Sequence, residues 1–467
     1  MIFSSYAFLL CFLPVVYGLF LLLRHWRLER AALALLLGAS LYFYAVWDWH
    51  YLALLVASIL GNYALGCKVA TRPGRFWLTL AVTGNLLLLG YFKYAVFFLG
   101  FLPQSHGWHI ILPLGISFFT FQQIAWQVDL YQKRLAGPGG LLPFAFFVSF
   151  FPQLIAGPIV HARELMPQIR QGWLRRPLPW ELGLALLALG LVKKVLLADP
   201  LAPGVDALFA RAAEGERLYA PEVLLAGLAY GLQLYFDFSG YADMAVGLAL
   251  MFGIRLPVNF RSPYKSASIV EFWRRWHITL SNFLRDYLYI PLGGSRSGKL
   301  RTSLNLLITM LLGGLWHGAG WQFILWGGLH GLLLTLNHTW RQRVRWRMPR
   351  ALAVALTLTA VMLAWIAFRA PSVEVAMGMY SGLLQWRWSW AWQPEVMLQE
   401  LTTMRIVQSL PWVSLALLAL ALSTPGSRRL CLRLGSWGRG LLVGTGLLLV
   451  LKAIAGEPDR AFLYFNF

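Results

Sequence analysis

Long apolar runs alternate with short polar breaks along the whole chain, and each run of about 20 such residues has the length to cross roughly 30 Å of hydrocarbon. The runs fall at Phe3–Leu23, Ala31–Trp47, Tyr51–Val69, Phe76–Leu99, Ile110–Val128, Leu141–Val160, Trp180–Leu197 and Pro221–Phe252. After a polar, aromatic stretch they resume at Leu304–Leu315, Trp321–Leu336, Ala351–Phe368, Pro411–Leu422 and Leu441–Ile454. The pattern predicts an all-α, polytopic integral membrane bundle of about 11–13 segments, some of them short or re-entrant. Leu141–Val160 is the clearest candidate for a broken segment, because it contains Pro152, Gly157 and Pro158. Irregular backbone at membrane depth needs a lined cavity or surrounding protein.

Loop charge orients the segments. Arg24, Arg27 and Arg30 mark one loop as cytoplasmic, Lys68, Arg72 and Arg75 another, and Lys133 and Arg134 a third. The loops between them, Trp47–His50 and Gly100–His109, carry no Lys or Arg. This asymmetry places the amino terminus outside and Arg341–Arg350 inside, with the tail Glu457–Phe467 outside again. Lys193, Lys194 and the basic stretch His161–Arg176 fit this scheme less well. The first apolar run lacks a basic leader and reads as a retained anchor rather than a cleaved signal peptide.

Composition agrees with a membrane protein. Of 467 residues, 58% are hydrophobic and 13% charged, against about 25% charged in soluble domains. The net charge of +21 raises the question of nucleic acid, but the charges sit in short loops between apolar runs, as the positive-inside bias requires. No nucleic-acid partner is expected. Cys11, Cys67 and Cys431 lie far apart and show neither metal-ligand spacing nor a disulfide framework. No cluster of His, Cys, Asp and Glu has metal-ligand spacing, so no metal is expected.

Residues 233–338 depart from plain membrane helix. Gln233, Asp237 and Tyr241 are spaced i, i+4, i+8 and share a helix face. Ionisable groups at that depth face the bundle interior or a wet cavity, either in a structural hydrogen-bond network or against a substrate. The segment Glu271-Phe-Trp-Arg-Arg-Trp-His-Ile-Thr-Leu280, read as one helix continuing through Arg285, puts Trp273, His277, Ser281 and Arg285 on one face and Trp276 on the other. A snorkelling helix at the membrane surface explains such interleaved Trp and Arg equally well. In Gly313-Gly-Leu-Trp-His-Gly-Ala-Gly-Trp321, His317 sits among glycines that permit close backbone approach. It is either a packed structural histidine or a general base for an acceptor hydroxyl. His330, on an apolar helix, reads as a packing group. Gly293–Lys299 mimics a phosphate loop, but Leu300 stands where Ser or Thr should hold magnesium, so it reads as a basic turn.

These residues give the chain a resemblance to the membrane-bound O-acyltransferase family, in the bacterial branch that includes alginate O-acetylation proteins. The carriers are Leu112-Pro-Leu-Gly-Ile-Ser-Phe-Phe-Thr-Phe-Gln122, Phe150-Phe-Pro-Gln-Leu-Ile-Ala-Gly-Pro158, Tyr235-Phe-Asp-Phe-Ser-Gly-Tyr-Ala-Asp-Met244 and Pro257-Val-Asn-Phe-Arg-Ser-Pro-Tyr264. Phe272-Trp-Arg-Arg-Trp-His277, Gly314-Leu-Trp-His-Gly318 and Phe462-Leu-Tyr-Phe-Asn-Phe467 complete the series. The resemblance implies a single membrane domain with a trans-bilayer cavity. Residues 1–109 would supply peripheral helices, 110–338 the catalytic core and 339–467 the C-terminal helices.

The family's essential histidine falls on His317 and its second histidine on His277. Asp237, Tyr241, Trp273, Trp276, Ser281, Arg285, Trp316 and Asn259 are then expected around the cavity. The implied activity moves an acyl group, with acetyl as the expected group, from a cytoplasmic donor to an extracytoplasmic polysaccharide in the bacterial inner membrane. Acetyl-coenzyme A is the expected donor substrate, with no tightly bound cofactor, and an outer-face partner protein would finish the transfer. Alginate, cellulose, another exopolysaccharide and peptidoglycan all remain open as acceptor. A non-catalytic acyl conduit and a lipid-linked sugar transporter are the competing readings. The outer loop Glu374–Arg405, with its four tryptophans between Trp386 and Trp392, is either an interface belt or a docking surface for a partner or glycan.

Overall fold

The computed structural model describes residues 1–99, 110–170, 172–296, 298–344, 346, 348–387, 401–456 and 460–463, with backbone alone for 99 and 401–408. Among the described residues 77% are helical and no strand occurs. A π-helical turn, Ala7–Phe12, runs into α1 (Leu13–His25). Then follow α2 (Glu29–Ala45), α3 (Trp49–Thr71), α4 (Arg75–Leu99), α5 (Ile116–Tyr131), α6 (Leu141–Ser149), α7 (Phe151–Leu154), α8 (Ala162–Leu165) and α9 (Trp180–Leu191). After a second π-helical segment, Val192–Ala198, come α10 (Ala202–Ala213), α11 (Ala220–Met251), α12 (Ile269–Trp273), α13 (Ile278–Leu284), α14 (Lys299–His317) and α15 (Trp321–Arg343). The last helices are α16 (Arg350–Arg369), α17 (Val373–Gly382), α18 (Leu401–Ser423), α19 (Ser427–Arg433) and α20 (Ser436–Gly456).

Among the described residues, five helices are long and apolar enough to cross a bilayer on length and composition alone, or six if the bent pair α18–α19 counts as one span. The helices α11, α14 and α15 have the length for a crossing but carry Asp, Asn, Gln or His on their faces. The interruption expected within Leu141–Val160 is present. Helix α6 stops at Ser149, α7 lasts a single turn, and irregular backbone follows to His161. That backbone is buried in protein, the condition under which such breaks are tolerated.

The chain divides into two compact units that interleave in sequence. Unit 1 is Met1–Leu191, Tyr241–Val258 and Cys431–Phe465; unit 2 is Val192–Gly240, Asn259–Leu430 and Asn466–Phe467. The core of unit 1 is aromatic, with Phe3, Phe43 and Phe151 packed around the entry to α1 and Phe151 set edge-on to Phe252 at 5.9 Å. A buried amide network joins its helices: Asn62 of α3 donates to Gln123 of α5 at 2.6 Å, and Asn85 of α4 donates to Asn62 at 2.6 Å. Side-chain amides that bond across helices tie membrane segments together.

The basic stretch that fitted the charge pattern poorly has a simple place in this unit. The Arg24 guanidinium donates to the Arg176 carbonyl at 2.8 Å, so Arg176 lies beside the Arg24–Arg30 loop. Lys193 and Lys194 misfit for another reason: both are buried in unit 2 and are not loop charges at all. Lys194 pairs with Asp199 at 2.5 Å and with Asp237 at 3.0 Å. Lys193 donates to Ser427 at 2.6 Å.

The close pair in unit 2 is the α14–α15 hairpin. A Cβ at Gly314 would run into the Phe323 carbonyl, and one at Gly327 into the Met310 carbonyl. These two glycines therefore bring the backbones together, the role small residues play between membrane helices, and the hairpin carries His317 at its turn. Of the tryptophan-rich loop expected on the outer side, α17 and the exposed Trp386 are described; Trp388, Trp390 and Trp392 lie outside the described residues.

Candidate active site

Unit 2 gathers three histidines in one aromatic shell. His317 is the last residue of α14 and is buried. Its ring contacts Trp316 and Trp326 at 5.0 Å each and Phe368 of α16 at 5.2 Å, all edge-on. Trp316 also faces the His277 ring at 6.4 Å, so the two histidines flank one indole. Trp326 passes the shell on to His330 at 4.8 Å, and His330 accepts a hydrogen bond from the Trp273 indole at 3.3 Å. Trp276 packs on Trp365 at 5.0 Å. Edge-on aromatic pairs contribute about 0.5–1.5 kcal/mol each beyond their buried area, so the rings brace one another.

His277 is not within a helix. The backbone breaks there, with φ 40° and ψ 54°, and α12 ends before it while α13 begins after it. The segment from Glu271 to Arg285 is therefore not one helix, and Trp273, His277, Ser281 and Arg285 do not share a face. Nor is it a membrane-surface helix, since Phe272, Trp273, Trp276, His277, Leu280 and Phe283 are buried. A left-handed residue other than glycine costs about 1 kcal/mol or more and persists where its surroundings impose it.

Asn259 imposes it. Its Oδ1 accepts from the Thr279 backbone N–H at 3.2 Å and the Thr279 hydroxyl at 2.9 Å, and lies 3.2 Å from His277 Nδ1. Its carbonyl accepts from the Ile278 N–H at 3.0 Å. Because a backbone N–H only donates, the Asn259 atom it meets is the oxygen. That oxygen can only accept, so His277 carries its proton on Nδ1 and presents a lone pair on Nε2. Burial in this turn, outside the spanning helices, pushes the His277 imidazole down to about 3. It stays neutral at working pH.

His317 closes a 19-residue helix and stands on the other side of Trp316 from His277. Two imidazoles in one shell, one fixed by Asn259 and one at a helix end, suit an orienting role and a base role respectively.

The other expected residues divide. Asp237, Asn259, Trp273, Trp276 and Trp316 are buried in unit 2 with the histidines. Asp237 is held in the Lys194 ion pair, while its neighbour Phe238 packs edge-on to His277 at 4.7 Å. Ser281 is half-buried and donates to the Trp276 carbonyl at 3.3 Å. Arg285 is exposed and paired with Asp286 at 2.7 Å, so it does not line the buried shell. Tyr241 belongs to unit 1, where it stacks on Phe3 at 4.9 Å and meets Phe462 at 4.7 Å. Sequence reasoning missed Phe238, Thr279, Trp326, Trp365 and Phe368. The i, i+4 pair Trp326 and His330 and the i, i+3 pair Trp365 and Phe368 carried a periodic signal for four of the shell's rings. Among the described residues no group of three or more His, Cys, Asp or Glu is placed to hold a metal ion.

Residues 131–381 match the family model described as MBOAT, membrane-bound O-acyltransferase family. The chain is 43% identical over 425 residues to the peptidoglycan O-acetyltransferase of Helicobacter pylori, covering 82% of this chain and 80% of that protein. It is 44% identical over 402 residues to the probable alginate O-acetylase of Azotobacter vinelandii, covering 82% and 78%. The teichoic acid D-alanyltransferase of Bacillus subtilis is 27% identical over 277 residues, covering 55% of this chain and 68% of that one. A chain with this match over more than half its length, and this identity over most of it, belongs to the membrane-bound O-acyltransferase family and is an acyltransferase.

Proposed function

We propose that the protein takes an acetyl group from acetyl-coenzyme A on the cytoplasmic side of a bacterial inner membrane and delivers it for O-acetylation of an extracytoplasmic polysaccharide. Both termini lie on the outer side, and an extracytoplasmic partner protein completes the transfer to the polymer. The relatives named for peptidoglycan and alginate O-acetylation support the acetyl group and the polymeric acceptor.

The observation that carries the chemistry is the pair of buried histidines on either side of Trp316. His317 acts as general base. It takes the proton of a hydroxyl on the carrier that hands the acetyl group to the partner protein, as that oxygen bonds to the thioester carbonyl carbon. The tetrahedral intermediate collapses, the C–S bond breaks, and the coenzyme A thiolate leaves with the proton returned by the His317 imidazolium. His277, with its lone pair on Nε2, accepts an amide N–H of the donor's pantetheine arm and so aligns the thioester. Asn259 acts through His277 as a positioning residue. A water-poor aromatic shell strengthens each of these interactions and keeps water from competing for the acyl group.

The test uses inverted membrane vesicles that carry the protein, given acetyl-coenzyme A outside and the acceptor polysaccharide with its partner protein inside. Release of free coenzyme A thiol, matched by acetyl groups on the polymer, is expected. Polymer acetylation with no consumption of the thioester would overturn the choice of donor. Thioester consumption only when the donor is sealed inside would overturn the orientation.

A further inference from the structure

Unit 1 holds a built site that acyl transfer does not use. Two adjoining clefts of about 720 Å³ and 550 Å³ open where α1 ends and α2 begins. Arg27 and Arg175 line both; Arg30 completes the first, and Arg24 and His25 the second. Loop charge of the positive-inside kind accounts for arginines at this end of the helices. It does not account for three of them lining each of two adjoining clefts, where their mutual repulsion is unfavourable without an anion.

The convergence is held by specific contacts. Arg24 Nη2 donates to the Arg176 carbonyl at 2.8 Å, while its other terminal nitrogen, Nη1, is buried with no hydrogen-bond partner in the protein. Glu29, the one carboxylate in the lining, accepts from the Gly172 N–H at 2.7 Å. Gly172 leads into the buried Trp173, which packs on Phe20 at 5.8 Å. Arg27 takes the left-handed conformation, φ 58°, at the turn between the helices. Among the described residues, none of Arg27, Arg30 and Arg175 pairs with a carboxylate. The first turn of the 17-residue α2 lines the first cleft and adds the positive end of its dipole.

Planar guanidinium forks match phosphate oxygens two at a time, and several forks around one cleft match a phosphodiester or a diphosphate better than a lone carboxylate. We propose that this cleft is a phosphate-binding site, taking either the phosphodiester of an acidic lipid headgroup or the phosphates of a soluble nucleotide-like molecule.

The test uses the full-length protein in nanodiscs and compares Arg27→Gln/Arg175→Gln, which empties both clefts of their shared guanidinium groups, with Arg428→Gln/Arg429→Gln. The second pair removes the same charge from exposed positions on α19. In neutral phosphatidylcholine discs, titration with inorganic pyrophosphate is read by calorimetry. In discs containing phosphatidylglycerol, retained lipid is read by native mass spectrometry. Loss of two charge-assisted contacts predicts at least about tenfold weaker binding in the cleft variant, with the α19 variant close to wild type. A difference in the pyrophosphate arm identifies a soluble phosphate as ligand, and one in the lipid arm identifies a headgroup. Equal behaviour of the two variants in both arms would overturn the proposal, because net charge alone would then explain any binding. Should the double cleft variant fail to fold, Arg175→Gln alone carries the same comparison against Arg429→Gln.

Discussion

Replacing Asn259 by alanine removes one oxygen that serves three donors, His277 Nδ1, the Thr279 amide and the Thr279 hydroxyl. Each buried donor left unsatisfied costs about 1–3 kcal/mol, so the variant should melt at lower temperature and its activity must be referred to folded protein. The chemical consequence is larger. With its acceptor gone, His277 is no longer confined to the Nδ1–H tautomer or to its ring orientation, and misplacement of a positioning group can cost about 10²-fold in rate. The conservative variant Asn259→Asp keeps the acceptor but puts a carboxylate against Nδ1–H. That charge favours the imidazolium and raises the His277 pKa from about 3 toward the working range. The assay is single-turnover acetyl transfer by purified, reconstituted protein between pH 5 and 8. Wild type should show no acid limb from His277. Asn259→Asp should be active at pH 8 and lose activity as the pH falls, because protonation consumes the Nε2 lone pair. Full activity of Asn259→Ala at normal abundance, or a flat profile for Asn259→Asp, would refute the reasoning.

Three further outcomes follow from the same geometry. The folded-state pKa of His277 lies below its unfolded value. Its contribution to stability is therefore present above about pH 6.5 and is lost as the pH falls toward 3. His277→Asn, which tolerates the left-handed turn, should flatten that part of the melting-temperature profile; an unchanged profile would contradict the assignment. Asp237→Asn removes the 3.0 Å ion pair to Lys194, and breaking one side of a buried pair costs up to about 3–5 kcal/mol, so abundance should fall before specific activity does. Lost activity at normal stability would instead make Asp237 a substrate ligand. His330→Phe should keep the aromatic packing, cost about 1–3 kcal/mol through the orphaned Trp273 indole, and leave acetyl transfer within a few-fold; a loss as deep as that of a base would place His330 in the chemistry.

Much of this architecture is visible in the sequence because membrane helices advertise themselves by length and apolarity. The break after Ser149 was legible from Pro152, Gly157 and Pro158, and the close α14–α15 approach from the glycines around His317. The break at His277 was not. The local sequence from Glu271 to Arg285 is compatible with a continuous helix, and the turn is imposed by Asn259, 18 residues away. The same limit hid the ion pair of Lys194 with Asp237, which joins a π-helical segment to α11. Helical spacing puts Tyr241 on a face with Asp237, and α11 carries Asp237 in unit 2 and Tyr241 in unit 1. Periodicity reports which residues share a face and says nothing of which neighbour that face meets at each end. Arg285 fell to the same cause, because a residue counted along an unbroken helix lands elsewhere once the backbone turns.

The central claim is that His317 is the base that activates the accepting hydroxyl. The direct measurement is single-turnover acetyl transfer by His317→Ala, with folding and membrane insertion verified on the same preparation. Loss of a general base predicts a fall of about 10²–10⁴-fold with donor binding retained. Transfer at a near-wild-type rate by folded, inserted His317→Ala would contradict the account.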